Sequence, residues 1–162
     1  TTKSKAFDIP NSICFGASYV KNNKMTLAAD VLYEIWDKAY YDDSKDSFKN
    51  RVRVAAGGEF IPNYQNRNFF GRVRYRAGAH YSNSYLMINN TDDAAYKGNG
   101  YNEYGVSVGF GLPLVDNRSL VNVSFEYTKI NPSGKNMIDE QYFRFTVNYT
   151  FNEMWFWKKK VD

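Results

Sequence analysis

The chain has 162 residues, of which 43% are hydrophobic, 18% aromatic and 23% charged, and its formal net charge is +4. That length fits one domain, and the 14 Tyr, 12 Phe and 3 Trp exclude a disordered chain, which would be poor in aromatics. No apolar run nears the roughly 20 residues of a membrane-spanning helix. A single Cys and a single His exclude a disulfide framework and a cysteine-built zinc site.

The charge excess is too mild to indicate nucleic acid, and no metal or cofactor is expected. The chain opens at Thr1 with no initiator Met and no leader. It is therefore expected to be a mature protein or a fragment, and the sequence carries no leader from which to read a compartment.

Alternation of period two dominates the sequence. Ile13, Phe15, Ala17 and Tyr19 open it, and Leu27, Ala29, Val31, Tyr33 and Ile35 follow. Val52, Val54, Ala56 and Phe60 then interleave with Arg51, Arg53 and Glu59; Val73, Tyr75, Ala77, Ala79 and Tyr81 interleave with Arg72, Arg74, Arg76, Gly78 and His80. Val106, Val108, Phe110 and Leu112 alternate with glycines and Ser107. Val121, Val123, Phe125 and Tyr127 alternate with Asn122, Ser124 and Glu126. Phe143, Phe145, Val147, Tyr149 and Phe151 alternate with Arg144, Thr146, Asn148 and Thr150.

Successive strand side chains point to opposite faces, so each segment has one apolar and one polar face. The predicted strands are 13–21, 24–41, 49–61, 69–87, 102–114, 119–130 and 140–152, with an aromatic and basic tail over 153–162. No segment has a helical period. The turns at 21–24 and 115–118 are tight and that at 61–68 is somewhat longer, whereas the connections at 42–50, 89–102 and 131–141 are polar and loop-like. In an antiparallel meander the short turns fall at one rim and the long loops at the other, as in transmembrane barrels.

The predicted fold is all-β: an antiparallel meander of about seven long strands forming the C-terminal part of a transmembrane β-barrel. A soluble ligand-binding barrel shows the same alternation. The membrane reading rests on strands about twice the usual 5–6 residues and on Tyr and Phe near strand ends, where interfacial girdles sit. It rests also on glycines among the polar-face residues, on an arginine-rich polar face, and on Trp155, Phe156 and Trp157 beside Lys158, Lys159 and Lys160.

Arg51, Arg53, Arg72, Arg74, Arg76, Glu126 and Arg144 are the candidate lumen-lining residues. Like charges on neighbouring strands repel unless acids answer them, and Asp30, Glu34, Glu59 and Glu126 share the polar face. Guanidinium groups also suit a ligand carboxylate, although mutual pairing is the expected use. His80 and Ser82 share a face, which raises a nucleophile–base pair. Their parallel projection from one strand is poor geometry for proton transfer, so catalysis is not expected. Cys14 has polar-face parity and no partner that would activate it.

Several stretches resemble the C-terminal half of outer-membrane hydrophobic-compound transporters of the FadL/TodX type, in the version found in Bacteroides-like bacteria. They are Phe7-Asp8-Ile9-Pro10-Asn11-Ser12, Ala29-Asp30-Val31-Leu32-Tyr33-Glu34-Ile35-Trp36, Arg76-Ala77-Gly78-Ala79-His80-Tyr81, Tyr104 to Pro113 and Val147 to Glu153. The resemblance implies a bacterial outer-membrane location and passive uptake of hydrophobic small molecules such as long-chain fatty acids or aromatic hydrocarbons. It also implies membrane lipid and a hydrophobic ligand as partners, and a further N-terminal half of the barrel. Without that half the open strand edges are expected to self-associate. The alternatives at this point are an outer-membrane barrel enzyme acting on lipid acyl chains and a soluble ligand-binding β-barrel.

Overall fold

The computed structural model describes residues 9–37, 48–63, 65–87, 100–114, 119–132 and 138–151. The predicted tail and the 115–118 turn lie outside these residues, as do most of the 42–50 and 89–102 connections and residues 133–137 of the third.

The strands are β1 (Asn11–Lys21), β2 (Met25–Ile35), β3 (Arg51–Phe60), β4 (Arg74–Asn83), β5 (Tyr101–Pro113), β6 (Leu120–Pro132) and β7 (Glu140–Thr150). They form one seven-stranded sheet in sequence order. Every neighbouring pair is antiparallel, and the β1–β2 and β6–β7 registers run without a break from end to end. An unbroken register keeps the two faces separate, since a slip of one residue would exchange them.

The β1–β2 turn is tight because Asn22 and Asn23 both hold φ of 52°, as primed hairpin turns require and asparagine tolerates. The Lys24 amide donates to the Lys21 carbonyl at 3.0 Å.

The β3–β4 connection extends beyond the expected turn at 61–68. Its residues 69–72, read from sequence as strand, form the helical turn α1 (Phe69–Arg72). The asparagines of this segment make the difference. Asn63 Oδ1 accepts from the Gln65 amide, and Asn66 Oδ1 accepts from the Asn68 amide, both at 3.1 Å. These Asx turns offer the backbone an alternative to the ladder. Gly71 is needed there, because a Cβ would lie 2.5 Å from Asn66 Nδ2. The second strand also ends early, at Ile35 rather than at 41. Trp36 leaves the ladder and stacks on Tyr85 with ring centroids 4.4 Å apart.

Among the described residues no apolar layer covers the sheet. Among the described residues the buried hydrophobics are Ile61 and Val73. The apolar face itself is open: Phe143 is 80% exposed, Phe145 59% and Phe125 56%. The polar face is the more enclosed one. A hollow of ≈ 460 Å³ on that side is lined from five successive strands, by Thr26, Gly57, Arg76, Gly109 and Asn122 among others. The sheet is therefore concave toward its charged residues and presents its apolar residues outward.

Candidate functional site

The register turns the polar face into rows that cross the sheet. One row runs Thr26, Glu59, Arg76, Gly109, Ser124 and Thr146. The next runs Ala28, Gly57, Gly78, Ser107, Glu126 and Arg144. Small residues dominate the second row and follow Arg76 in the first, and this makes the hollow: Gly57 and Gly78 face each other across β3 and β4, with the Ser107 hydroxyl beside Gly78.

Charged groups border this floor in pairs. Toward the short-turn rim, Glu59 serves two arginines. Arg76 Nε donates to Glu59 Oε2 at 2.7 Å, and Arg74 Nη1 donates to Oε1 at 3.5 Å. Arg76 Nη1 also donates to Asn122 Oδ1 at 2.7 Å, so one guanidinium ties β3, β4 and β6 together. Toward the long-loop rim, Arg51 Nη1 lies 3.6 Å from Glu34 Oε2 and its Nε donates to Ser82 Oγ at 2.9 Å. Arg144 Nη1 meets Glu126 Oε2 at 3.3 Å. As solvated pairs each is worth about 0.2–1 kcal/mol. Together they line the concave face with paired charges rather than isolated ones.

The predicted lumen residues thus separate. Arg51, Arg74, Arg76, Glu126 and Arg144 stand in cross-strand pairs on the concave face. Arg53 stands on the same face and lines a second hollow of ≈ 390 Å³ with His80, Glu103, Glu126 and Arg144. Arg72 lies in α1 rather than on a strand, because the asparagine turns withdraw it from the ladder.

The His80–Glu103 contact was missed from sequence. Nε2 of His80 lies 3.1 Å from Oε1 of Glu103 on the neighbouring strand. The ring lies across Gly105, where a Cβ would come within 2.0 Å of the imidazole. A signal for this existed: Glu103 has the same parity as Gly105 and Ser107. The proposed Ser82 partner is engaged elsewhere. Its hydroxyl is buried, accepts from Arg51 and donates to the Asn83 carbonyl at 3.2 Å.

The outer face has its own order. Tyr81 and Tyr104 pair near the long-loop rim, centroids 5.2 Å apart, and Tyr75 and Phe110 pair near the short-turn rim at 6.0 Å. Ala77, Ala79, Val106 and Val108 fill the band between. Tyr75 and Tyr81 stand about 20 Å apart along β4 at about 3.3 Å per residue.

The family model of BamG matches residues 1–162. No curated protein and no solved structure matches the sequence. The match corrects the resemblance to FadL/TodX transporters, and with it the function and partner drawn from it: the fatty-acid or hydrocarbon channel and its hydrophobic ligand. The physical reason is that those stretches were strand grammar. Alternating apolar and polar residues with interspersed glycines belong to many barrel walls and do not separate one family from another. A match along all 162 residues carries more than five short stretches, and it establishes that this chain belongs to the BamG family.

Proposed function

We propose that this chain is part of an outer-membrane component of the β-barrel protein assembly machinery, and that its sheet is a transmembrane wall of that component. The family name points to the machinery. The observation that carries the membrane placement is the inverted polarity: an exposed apolar face backed by a concave charged one.

In water such a face would be an adhesive patch of a kind that soluble monomers rarely expose. In a bilayer it meets hydrocarbon, and the paired tyrosines and phenylalanines sit where interfacial girdles belong. Backbone polar groups must be satisfied internally in hydrocarbon, and the continuous ladders of the seven strands do this across the width of the sheet. The charged network then faces a wet interior, where its ions stay hydrated. The role is architectural: the wall anchors the component in the membrane and stiffens it, and the engagement of Ser82 and His80 with other partners speaks for a role without catalysis.

The test is depletion of the full polypeptide in its own cell, with folded outer-membrane proteins measured by their heat-modifiable migration. The expected result is a general loss of folded barrels, together with recovery of assembly-machinery subunits on a tagged copy. Undiminished folded barrels and a tagged copy that brings down no such subunits would overturn the reading.

A further inference from the structure

The edges of this sheet are built like interior strands. Exposed edges are normally blunted by short length, proline, lysine or a bulge. β1 and β7 are each 11 residues long, contain no proline, carry a lysine only at Lys21, the last residue of β1, and pair with their inner neighbours without a bulge. Each carries a full apolar row, Ile13, Phe15, Ala17 and Tyr19 on one and Phe143, Phe145, Val147 and Tyr149 on the other. Both are exposed along their whole length. The inward guanidinium of Arg144 is paired with Glu126 and does not guard the edge.

Strand direction restricts what covers them. In a seven-stranded antiparallel meander the first and last strands run the same way. Closing β7 onto β1 would therefore make a parallel seam. A second copy related by rotation about the barrel axis would also set β7 beside a parallel β1. Two antiparallel seams need neighbours that run opposite to both edges. A run of alternating strands that begins and ends in the same direction has an odd number of members. Seven plus an odd number is even, the rule for bacterial single-chain barrels.

We propose that β1 and β7 are the two seams of a closed transmembrane wall, completed by an odd number of antiparallel strands from a segment of the same native polypeptide outside residues 1–162. This rests on the reading that the outer face meets lipid. The same polypeptide is the source because every neighbour in the sheet is a sequence neighbour, so further strands join by ordinary hairpins. Strands from another protein would leave the lone subunit with two unpaired edges in hydrocarbon, at several kcal/mol per unsatisfied group.

Hydrogen exchange on the full polypeptide in native outer-membrane fragments tests the seams. Amides of β1 and β7 are expected to exchange within about tenfold of those of β4, since exchange reports local opening. Exchange about a thousandfold faster on either edge overturns the proposal. A photoactivatable cross-linker on Cys14, which lies exposed on β1, tests the source. The expected adduct is a segment of alternating sequence in the same polypeptide. An adduct to β7, to a second copy or to another protein overturns it. A Phe145→Cys variant, with Cys14 replaced by Ser, separates the two readings. Labelling of that cysteine by a membrane-impermeant aqueous maleimide defeats the lipid reading, whereas a shielded cysteine with fast-exchanging edges defeats the seams alone.

Discussion

Along one register row the outer face grows steadily, from Ala17, Ala29, Ala56 and Ala79 through Val106 to Tyr127 and Phe143. The β2–β4 region is a thin wall: Gly58 and Ala77 meet on its outer side and Gly57 and Gly78 on its inner side. Leu27, Phe60 and Tyr75 rim an outer groove of ≈ 310 Å³ there. The β6–β7 region is thick and aromatic, with Phe125 on Phe145 at 4.8 Å and Tyr127 on Phe143 at 4.9 Å. Both regions share one alternation and one register, so the pattern of polarity fixes which way a residue faces, and side-chain volume alone fixes how deep the wall is.

The sharpest way to break this comparison is a charge on the outer face. Phe145→Arg and Ala77→Arg should each destabilise the full polypeptide in phospholipid bilayers by about 2–4 kcal/mol, read by denaturant titration. Equal costs at the thick and thin walls would mean that both meet hydrocarbon at similar depth. A change within about 0.5 kcal/mol, typical of solvated surfaces, would place that wall in water.

Next comes the inner lining. Gly105→Val places methyl groups where the His80 ring lies, and should cost about 1–3 kcal/mol by overpacking, with His80 displaced from Glu103 in its NMR signals. The turn follows. Asn22→Val puts a β-branched residue at φ of 52° and should cost about 1–2 kcal/mol. The smallest effect separates the walls most finely. In a double-mutant cycle, Phe125→Ala and Phe145→Ala should show a coupling of about 0.5–1.5 kcal/mol. The Ala56 and Ala79 pair in the same register relation has no ring contact to lose, so replacing both by Gly should show no comparable coupling.

Much of the fold was legible because a strand writes its facing into every second residue. Phe143, Phe145, Val147 and Tyr149 announced β7 without help from any neighbour. The boundaries failed where a local competitor existed: the side chains of Asn63 and Asn66 captured backbone amides and moved Arg72 from strand to helical turn. The candidate site was legible as a list of polar-face arginines and acids. Its pairing was hidden, because Glu59 and Arg76 are 17 residues apart and His80 and Glu103 are 23 apart. Family was the least legible property, since no residue of a repeating wall is peculiar to one family.

The sequence by itself determined that the chain would lie in extended strands and that each strand would divide oily from charged side chains, because both follow from the two-residue repeat of the backbone. Tertiary structure decided which carboxylate answers which guanidinium, that the charged side is the concave one, and that two unblunted edges face outward. Those outcomes depend on register and curvature, which arise only when separate segments of the chain share hydrogen bonds.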